Sequence, residues 1–236
     1  MFKVPLVKGD LGGSRLSKKR FQSAIEIAFL HIQQSPPART GERKDNKMTT
    51  IILNLDTVEL TDEQFYRLCQ MNRDWQFERT PKGEIIIMSP VGGVNANREA
   101  YLITDLGLWN RKTQLGRVFS SSTIFRLPNN GYRSPDAAWV RLERWSALTA
   151  EEQEKFPPIC PDFAIELRSP PDPLWPLQQK MQEYLNSGLS LGWLINPLDE
   201  QVEIYRPSRE VEIVQFPVSL SGEDVLPGFV LNLPMI

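Results

Sequence analysis

Residues 162–196 read DFAIELRSPPDPLWPLQQKMQEYLNSGLSLGWLIN, and this stretch decides the fold. Residues 162–168 and 191–196 have the apolar content of strands, and residues 174–187 carry apolar side chains at helical spacing. Pro176 suits the first turn of a helix, and Gly188 suits the residue that ends one. The stretch therefore predicts a strand, a helix and a second strand in succession.

Strand-like and helical patterns continue on both sides of this stretch. A capping-box spacing between Thr61 and Gln64 predicts a helix to about Asn72. Further helices are predicted at residues 95–113 and 143–156, and further strands at residues 49–53, 75–79, 84–88, 116–127, 133–141, 201–206 and 210–216. The order predicts one domain of mixed α and β structure over residues 48–236.

The 236-residue chain contains one histidine, His31, and two cysteines, Cys69 and Cys160. These counts exclude Ser-His-Asp triads, Cys-His pairs, H-E-x-x-H zinc sites and His-dependent nucleases. The cysteines have no C-x-x-C partner, so a reducing, cytoplasmic environment is expected. Carboxylates, lysine and arginine are left as the candidate catalytic groups.

Residues 1–47 differ in composition from the rest. They carry a net charge of +6 and residues 48–236 carry −8, which together give the −2 of the chain. The apolar stretch at residues 24–32 is too short to span a bilayer and precedes no small-residue cleavage site. We expect a basic, disordered extension or a start codon assigned too far upstream. A basic arm that binds nucleic acid is the alternative.

A chain that starts at Met48 is expected to fold alone, because the periodic apolar segments of the domain follow that residue. Thermal unfolding of the full and the truncated chain measures this, and equal midpoints are expected. A loss of several degrees on truncation would instead show that residues 1–47 pack on the domain.

Two carboxylates occupy unusual places in predicted strands. Glu166 shares a strand face with Ala164 and Arg168, and Asp136 follows Ser134-Pro135 at the start of another strand. If the two strands pair, the carboxylates could lie within about 5 Å of each other. Such a pair needs a cation, and oxygen ligands without histidine select magnesium or manganese. The alternative is a turn-capping Asp136 and a solvent-facing Glu166.

Two helical residues are candidates for the same site. Glu99 falls on the stripe of Leu102 and Leu106, although an acid in a first helical turn is also favoured by the helix dipole. Lys180 lies at the edge of the apolar stripe of the later helix, one turn before Tyr184. Its alternative interpretation is a lysine whose amine extends to solvent along an apolar face.

An ordered set of motifs resembles the Uma-two family of restriction-endonuclease-like proteins. The set comprises Ser134-Pro135-Asp136, Glu166-Leu167-Arg168-Ser169-Pro170, Lys180 to Tyr184, and the sequence LGWLINP at residues 191–197. The resemblance extends from Met48 to the C-terminus. It implies the PD-(D/E)xK nuclease fold, a mixed β-sheet flanked by α-helices, with one or two magnesium ions in the active site.

The resemblance also implies the role of each candidate residue. Asp136 and Glu166 would be metal ligands, Glu99 a supplementary acid, and Lys180 or Arg168 the catalytic cation. Arg168 stands where the superfamily has a strand lysine, and an arginine cannot accept a proton from water. In related nucleases this lysine sometimes moves to the adjacent helix, where this chain has Lys180.

The implied substrate is DNA, and the charge distribution bears on it in two ways. The −8 of residues 48–236 opposes DNA binding. A local basic rim of Arg111, Lys112, Arg117, Arg126 and Arg133 favours it. The alternatives are an inactive nuclease fold that binds DNA or forms a homodimer, and a scaffold domain that never binds nucleic acid.

Overall fold

The computed structural model describes residues 51–55, 60–88 and 90–234. The interpretation of residues 1–47 therefore lies outside the described residues. The described helices are α1 (Asp62–Met71), α2 (Gly93–Thr113), α3 (Leu142–Ser146), α4 (Ala150–Glu154) and α5 (Leu174–Asn186). The described strands are β1 (Ile51–Leu53), β2 (Gln76–Arg79), β3 (Ile85–Met88), β4 (Gly116–Ser120), β5 (Phe125–Arg126), β6 (Tyr132–Arg133), β7 (Ala137–Arg141), β8 (Phe163–Leu167), β9 (Leu191–Asn196), β10 (Gln201–Tyr205), β11 (Glu212–Gln215), β12 (Val218–Ser221) and β13 (Val230–Leu233).

A mixed six-stranded sheet forms the centre of the fold. Its strand order is β11-β10-β9-β8-β7-β4, in which β8 and β9 are parallel and all other neighbours are antiparallel. Parallel neighbours need a crossover, and α5 provides it. The predicted strand, helix and strand are thus confirmed, and Gly188 follows the helix with a φ of +105° that suits glycine.

Both faces of the central strands are covered. Phe163, Ile165 and Leu167 of β8 pack in a core with α2 and the β12-β13 hairpin. Ala164, on the opposite face, packs in a second core with Met181 and Tyr184 of α5. The alternative of a half-exposed β8 with a solvent-facing Glu166 is therefore wrong, because α5 covers that face.

A second, five-stranded antiparallel sheet has the order β1-β3-β2-β6-β5. Phe65 of α1 packs on it beside Phe77, Ile85 and Tyr132. The predicted capping box is present, since Thr61 and Gln64 exchange side-chain hydrogen bonds with each other's backbone. The predicted β2-β3 hairpin is also present.

The two long strands predicted at residues 116–127 and 133–141 are each broken in two. The chain passes from β4 of the six-stranded sheet to β5 of the other, and returns from β6 to β7. Residues 134–136 make the return crossing, and Pro135 has no N–H to donate to a ladder. The segment before Asp136 therefore lies where the two sheets meet.

Two further differences concern short elements. The single helix predicted at residues 143–156 is two one-turn helices, α3 and α4, and the second begins with its own capping box at Thr149. The β12-β13 hairpin was not predicted. No helix in the described parts of the chain is both long and apolar enough to cross a bilayer.

Candidate active site

The amine of Lys180 lies at the centre of a buried polar cluster. Its Nζ is 3.1 Å from the carbonyl oxygen of Ser134, 2.9 Å from Oε1 of Glu166 and 2.7 Å from Oε1 of Glu78. Tyr184, one turn later on α5, donates to Oε1 of Glu166 at 3.0 Å. The alternative of an amine that extends to solvent is wrong, because three acceptors hold it inside the protein.

Asp136 and Glu166 come together because β7 and β8 pair. Ala137 pairs with Ile165 and Ala138 with Ala164, so one further step of this antiparallel register places Asp136 opposite Glu166. Oδ2 of Asp136 accepts a hydrogen bond from the backbone N–H of Leu167 at 2.6 Å. The condition on which the sequence-based hypothesis depended, pairing of the two strands, is met.

Burial and mutual repulsion disfavour the charged forms of these two acids. Burial raises the pKa of Glu166 to about 8, with a further contribution from Asp136 against the opposing effect of Lys180. Burial and the charge of Glu99 raise the pKa of Asp136 to about 7. The pair therefore tends to take up protons when no metal ion is bound.

Glu99, on α2, is the third acid that acts on this pair. Its Oε2 accepts a hydrogen bond from Oγ of Ser121 at 3.4 Å, and the side chain is partly buried. Burial raises the pKa of Glu99, and the charge of Glu166 adds to that shift. Glu99 thus acts electrostatically on both Asp136 and Glu166.

Glu78 is a part of the cluster that the sequence did not indicate. It is 2% exposed, and it accepts from Nη1 of Arg133 at 2.9 Å and from the backbone N–H of Ser134 at 2.8 Å. Although burial alone would raise its pKa, Lys180 and Arg133 hold the pKa of Glu78 below its usual range. The only signal was an acid inside a predicted hairpin strand, where a solvated face is normal.

Arg168 does not contact this cluster. Its Nη1 is 2.9 Å from Oδ2 of Asp199, and its Nε donates to the backbone carbonyl of Asp172 at 3.1 Å. Because β9 runs parallel to β8, the loop after β9 lies beside Arg168 and binds its guanidinium. Of the two candidate catalytic cations, Lys180 contacts Glu166 and Arg168 does not.

The five basic residues predicted to form a rim do not lie together beside the carboxylate pair. Arg133 is buried in ion pairs with Glu78 and Glu183, and Arg126 pairs with Asp62 at 3.1 Å. The exposed Arg111, Lys112 and Arg117 lie by the start of β4, which pairs with the end of β7 remote from Asp136. Neither group offers free cations beside the carboxylate pair.

The donor chemistry of the pair suits a hard cation. Oδ1 of Asp136 accepts no hydrogen bond from the described residues, and each carboxylate oxygen of Glu166 has two lone pairs. Mg²⁺ is commonly bound through one or two carboxylates and keeps several waters. Among residues 51–55, 60–88 and 90–234, no three His, Cys, Asp or Glu side chains form a group that could hold a metal ion. Glu99 as a further ligand stays a prediction.

The free energy of unfolding of the metal-free protein is expected to fall as pH rises from about 5.5 to about 8.5. The folded pKa values of Asp136 and Glu166, about 7 and about 8, exceed the ordinary 3.8 and 4.5. In this window the folded state therefore binds more protons than the unfolded state, and stability is lost with rising pH. Chemical denaturation in a chelator measures the slope. Asp136→Asn should flatten it, and an unchanged slope in that variant would contradict the assignment.

The fold is a mixed α+β fold in which a carboxylate pair lies at one end of the β7-β8 strand pair, beside the amine of Lys180 from α5. Residues 62–234 match the family model Uma2, described as "Putative restriction endonuclease", and the chain belongs to that family. Its fold is similar to the crystal structure of a nuclease, described as putative and belonging to DUF820, from Anabaena variabilis ATCC 29413. The TM-score is 0.58 at 21% sequence identity, over 66% of this chain and 86% of that one. No curated protein matches the chain.

Proposed function

We propose that this chain is a magnesium- or manganese-dependent endonuclease that hydrolyses phosphodiester bonds in DNA. The observation that carries the proposal is the position of Lys180, whose amine contacts Glu166, while Glu166 faces Asp136 across the β7-β8 pair. Membership of a restriction endonuclease family supports the reaction class. Two unpaired cysteines, Cys69 and Cys160, suit a reducing cytoplasm.

Asp136 and Glu166 would hold the metal ion. The chemistry supplied there would be polarisation of a phosphoryl oxygen and a lower pKa for a bound water. The surrounding cluster favours a divalent cation, because within the described part of the chain four acidic side chains, Glu78, Asp136, Glu166 and Glu183, surround two basic ones, Lys180 and Arg133. Neutralising the excess negative charge relieves the repulsion that raises the acids' pKa values.

Lys180 would act as a hydrogen-bond donor and positive charge. Burial alone would lower the pKa of Lys180, but the carboxylates of Glu166, Glu78 and Asp136 raise it above its usual range. The amine therefore stays protonated at neutral pH and does not serve as the base that accepts the proton of the attacking water. It can orient that water or stabilise the charge that develops on the phosphate.

A second candidate is an inactive nuclease fold that binds DNA or forms a homodimer. The hydrogen bonds of Lys180 favour this second candidate. An ammonium group has three donors, and acceptors on Ser134, Glu78 and Glu166 already occupy them. In this case the cluster is a buried structural network.

Cleavage of supercoiled plasmid DNA separates the two candidates. With magnesium, the endonuclease should produce nicked and linear DNA, and a chelator should stop the reaction. Salt-dependent DNA retention without cleavage would support the inactive candidate. Absence of both would contradict both DNA-binding candidates, and sedimentation then tests for a homodimer.

A further inference from the structure

We propose that Glu78 is a positioning residue that fixes the amine of Lys180 in the candidate active site, with Arg133 as its support. The inference rests on the proposed function, because it assigns Glu78 a part in the same reaction. It starts from a chain of ion pairs of alternating sign. The chain runs through Glu183, Arg133, Glu78, Lys180 and Glu166.

Three successive ion pairs of this chain connect two residues of α5 through the five-stranded sheet. Glu183 and Lys180 lie three residues apart on α5, and the pair Arg133 and Glu78 bridges them from the five-stranded sheet. The three links measure 2.5 Å, 2.9 Å and 2.7 Å in this order. Because both ends of the bridge are on one helix, it fixes the rotation of α5 at the turn that carries the amine.

Glu78 also defines where the amine can lie. A lysine side chain has several rotatable bonds, so a single acceptor on Glu166 would leave its amine free to move. Glu78 supplies a second carboxylate at 2.7 Å, and its Oε1 also accepts from the N–H of Ser134 at 2.8 Å. The carbonyl of the same Ser134 is the third acceptor of Lys180. Glu78 thus ties the amine to the backbone two residues before Asp136.

Glu78 does not belong to the strand ends that carry the two proposed metal ligands. It comes from β2 of the five-stranded sheet, whereas Asp136 and Glu166 belong to the ends of the β7-β8 pair. Its carboxylate is already satisfied by Arg133, Lys180 and Ser134. Glu78 therefore acts through Lys180, and its loss should lower the rate of the chemical step more than the affinity for DNA.

Glu78→Gln tests this inference, with Glu203→Gln as the matched control. Glu203 is also 2% exposed and also hydrogen-bonded by side chains, Gln178 and Tyr205, but it lies outside the cluster. We expect Glu78→Gln to lower the single-turnover cleavage rate at saturating DNA on the order of 100-fold, the scale for a misplaced catalytic group. DNA affinity should change by less than about 3-fold, and Glu203→Gln should cleave at the wild-type rate.

A double variant distinguishes positioning from a structural role. If Glu78 acts through Lys180, adding Glu78→Gln to Lys180→Ala should lower the residual rate no further. The inference would be overturned if the two substitutions together lowered the rate by the product of their separate effects. It would also be overturned if the rate of Glu78→Gln stayed within about 3-fold of wild type. Glu78→Asp, which keeps the charge but shortens the side chain, covers the case that Glu78→Gln does not fold. Its rate should fall between those of wild type and Lys180→Ala, and wild-type cleavage by Glu78→Asp would also overturn the inference.

A second measurement does not depend on cleavage. The Nζ ammonium signal of Lys180, assigned by its loss in Lys180→Ala, should be resolved by NMR in the wild-type protein and shifted or broadened in Glu78→Asp or Glu78→Gln. An unchanged signal in a folded variant would overturn the positioning role. If the wild-type protein does not cleave DNA but the signal responds, the proposed function fails while Glu78 still fixes the amine.

Discussion

Replacing Glu166 by Gln, or Asp136 by Asn, is expected to lower magnesium-dependent cleavage at least about 100-fold, which corresponds to about 3 kcal/mol of transition-state stabilisation. Each substitution removes one charged oxygen donor from the pair while it keeps the size of the side chain. The cleavage rate of plasmid DNA with saturating magnesium measures the effect.

The fold should survive both substitutions. An Asn at position 136 can still accept from the N–H of Leu167, and a Gln at position 166 can still accept from the amine of Lys180. Because the two carboxylates repel each other, we expect the metal-free variants to be as stable as wild type or slightly more stable at pH 8. If both variants unfold, these acids are structural partners and the site hypothesis is wrong.

Lys180→Ala is expected to lower the cleavage rate by about 100-fold or more, the usual scale for losing a positioned donor or acid-base group. The substitution removes the cation that contacts Glu166 and Glu78. Each of these two buried carboxylates then loses one cationic partner, so the free energy of unfolding should also fall. The rate is therefore compared at a temperature at which circular dichroism shows the variant to be folded.

Arg168→Ala is the matched control for Lys180→Ala. Like Lys180→Ala, it removes one positive charge. Arg168 is two residues from Glu166 in sequence, but its guanidinium binds Asp199 rather than Glu166. We expect cleavage within about 3-fold of wild type, because the guanidinium contacts neither carboxylate of the pair, and its partly exposed ion pair contributes little to stability. Arg168→Lys should be tolerated too. Should Arg168→Ala be inactive while Lys180→Ala cleaves like wild type, Arg168 is the catalytic cation and the helix lysine is not.

Local sequence determined the elements that carry the candidate site. The capping box at Thr61, Pro176 in the first turn of α5 and Gly188 after it each act on the adjacent backbone, so their effects can be read without the fold. Side chains alternate between the two faces of a strand, so the sequence shows which residues of β8 share a face. The positions of Glu166, Asp136 and Lys180 were therefore predictable, given that the strands pair.

Tertiary structure alone decided which strands pair and what lies between them. The breaks in the two strands predicted at residues 116–127 and 133–141 depend on the two sheets between which the chain passes, and apolar periodicity within one segment carries no information on its neighbours. The β12-β13 hairpin is short, and β12 follows Pro217, so its alternation gave too little signal.

The same limit applies to the partners of the cations. Arg168 is close to Glu166 in the chain but binds Asp199, because the parallel β9 brings the loop after it alongside. Glu78 is 102 residues from Lys180 in sequence, yet the two are 2.7 Å apart. Sequence determines which side chains can carry a charge and which face of an element they occupy. Only the packing of the two sheets against α5 decides which charges meet, because Coulombic contacts depend on distance in space and not on separation along the chain.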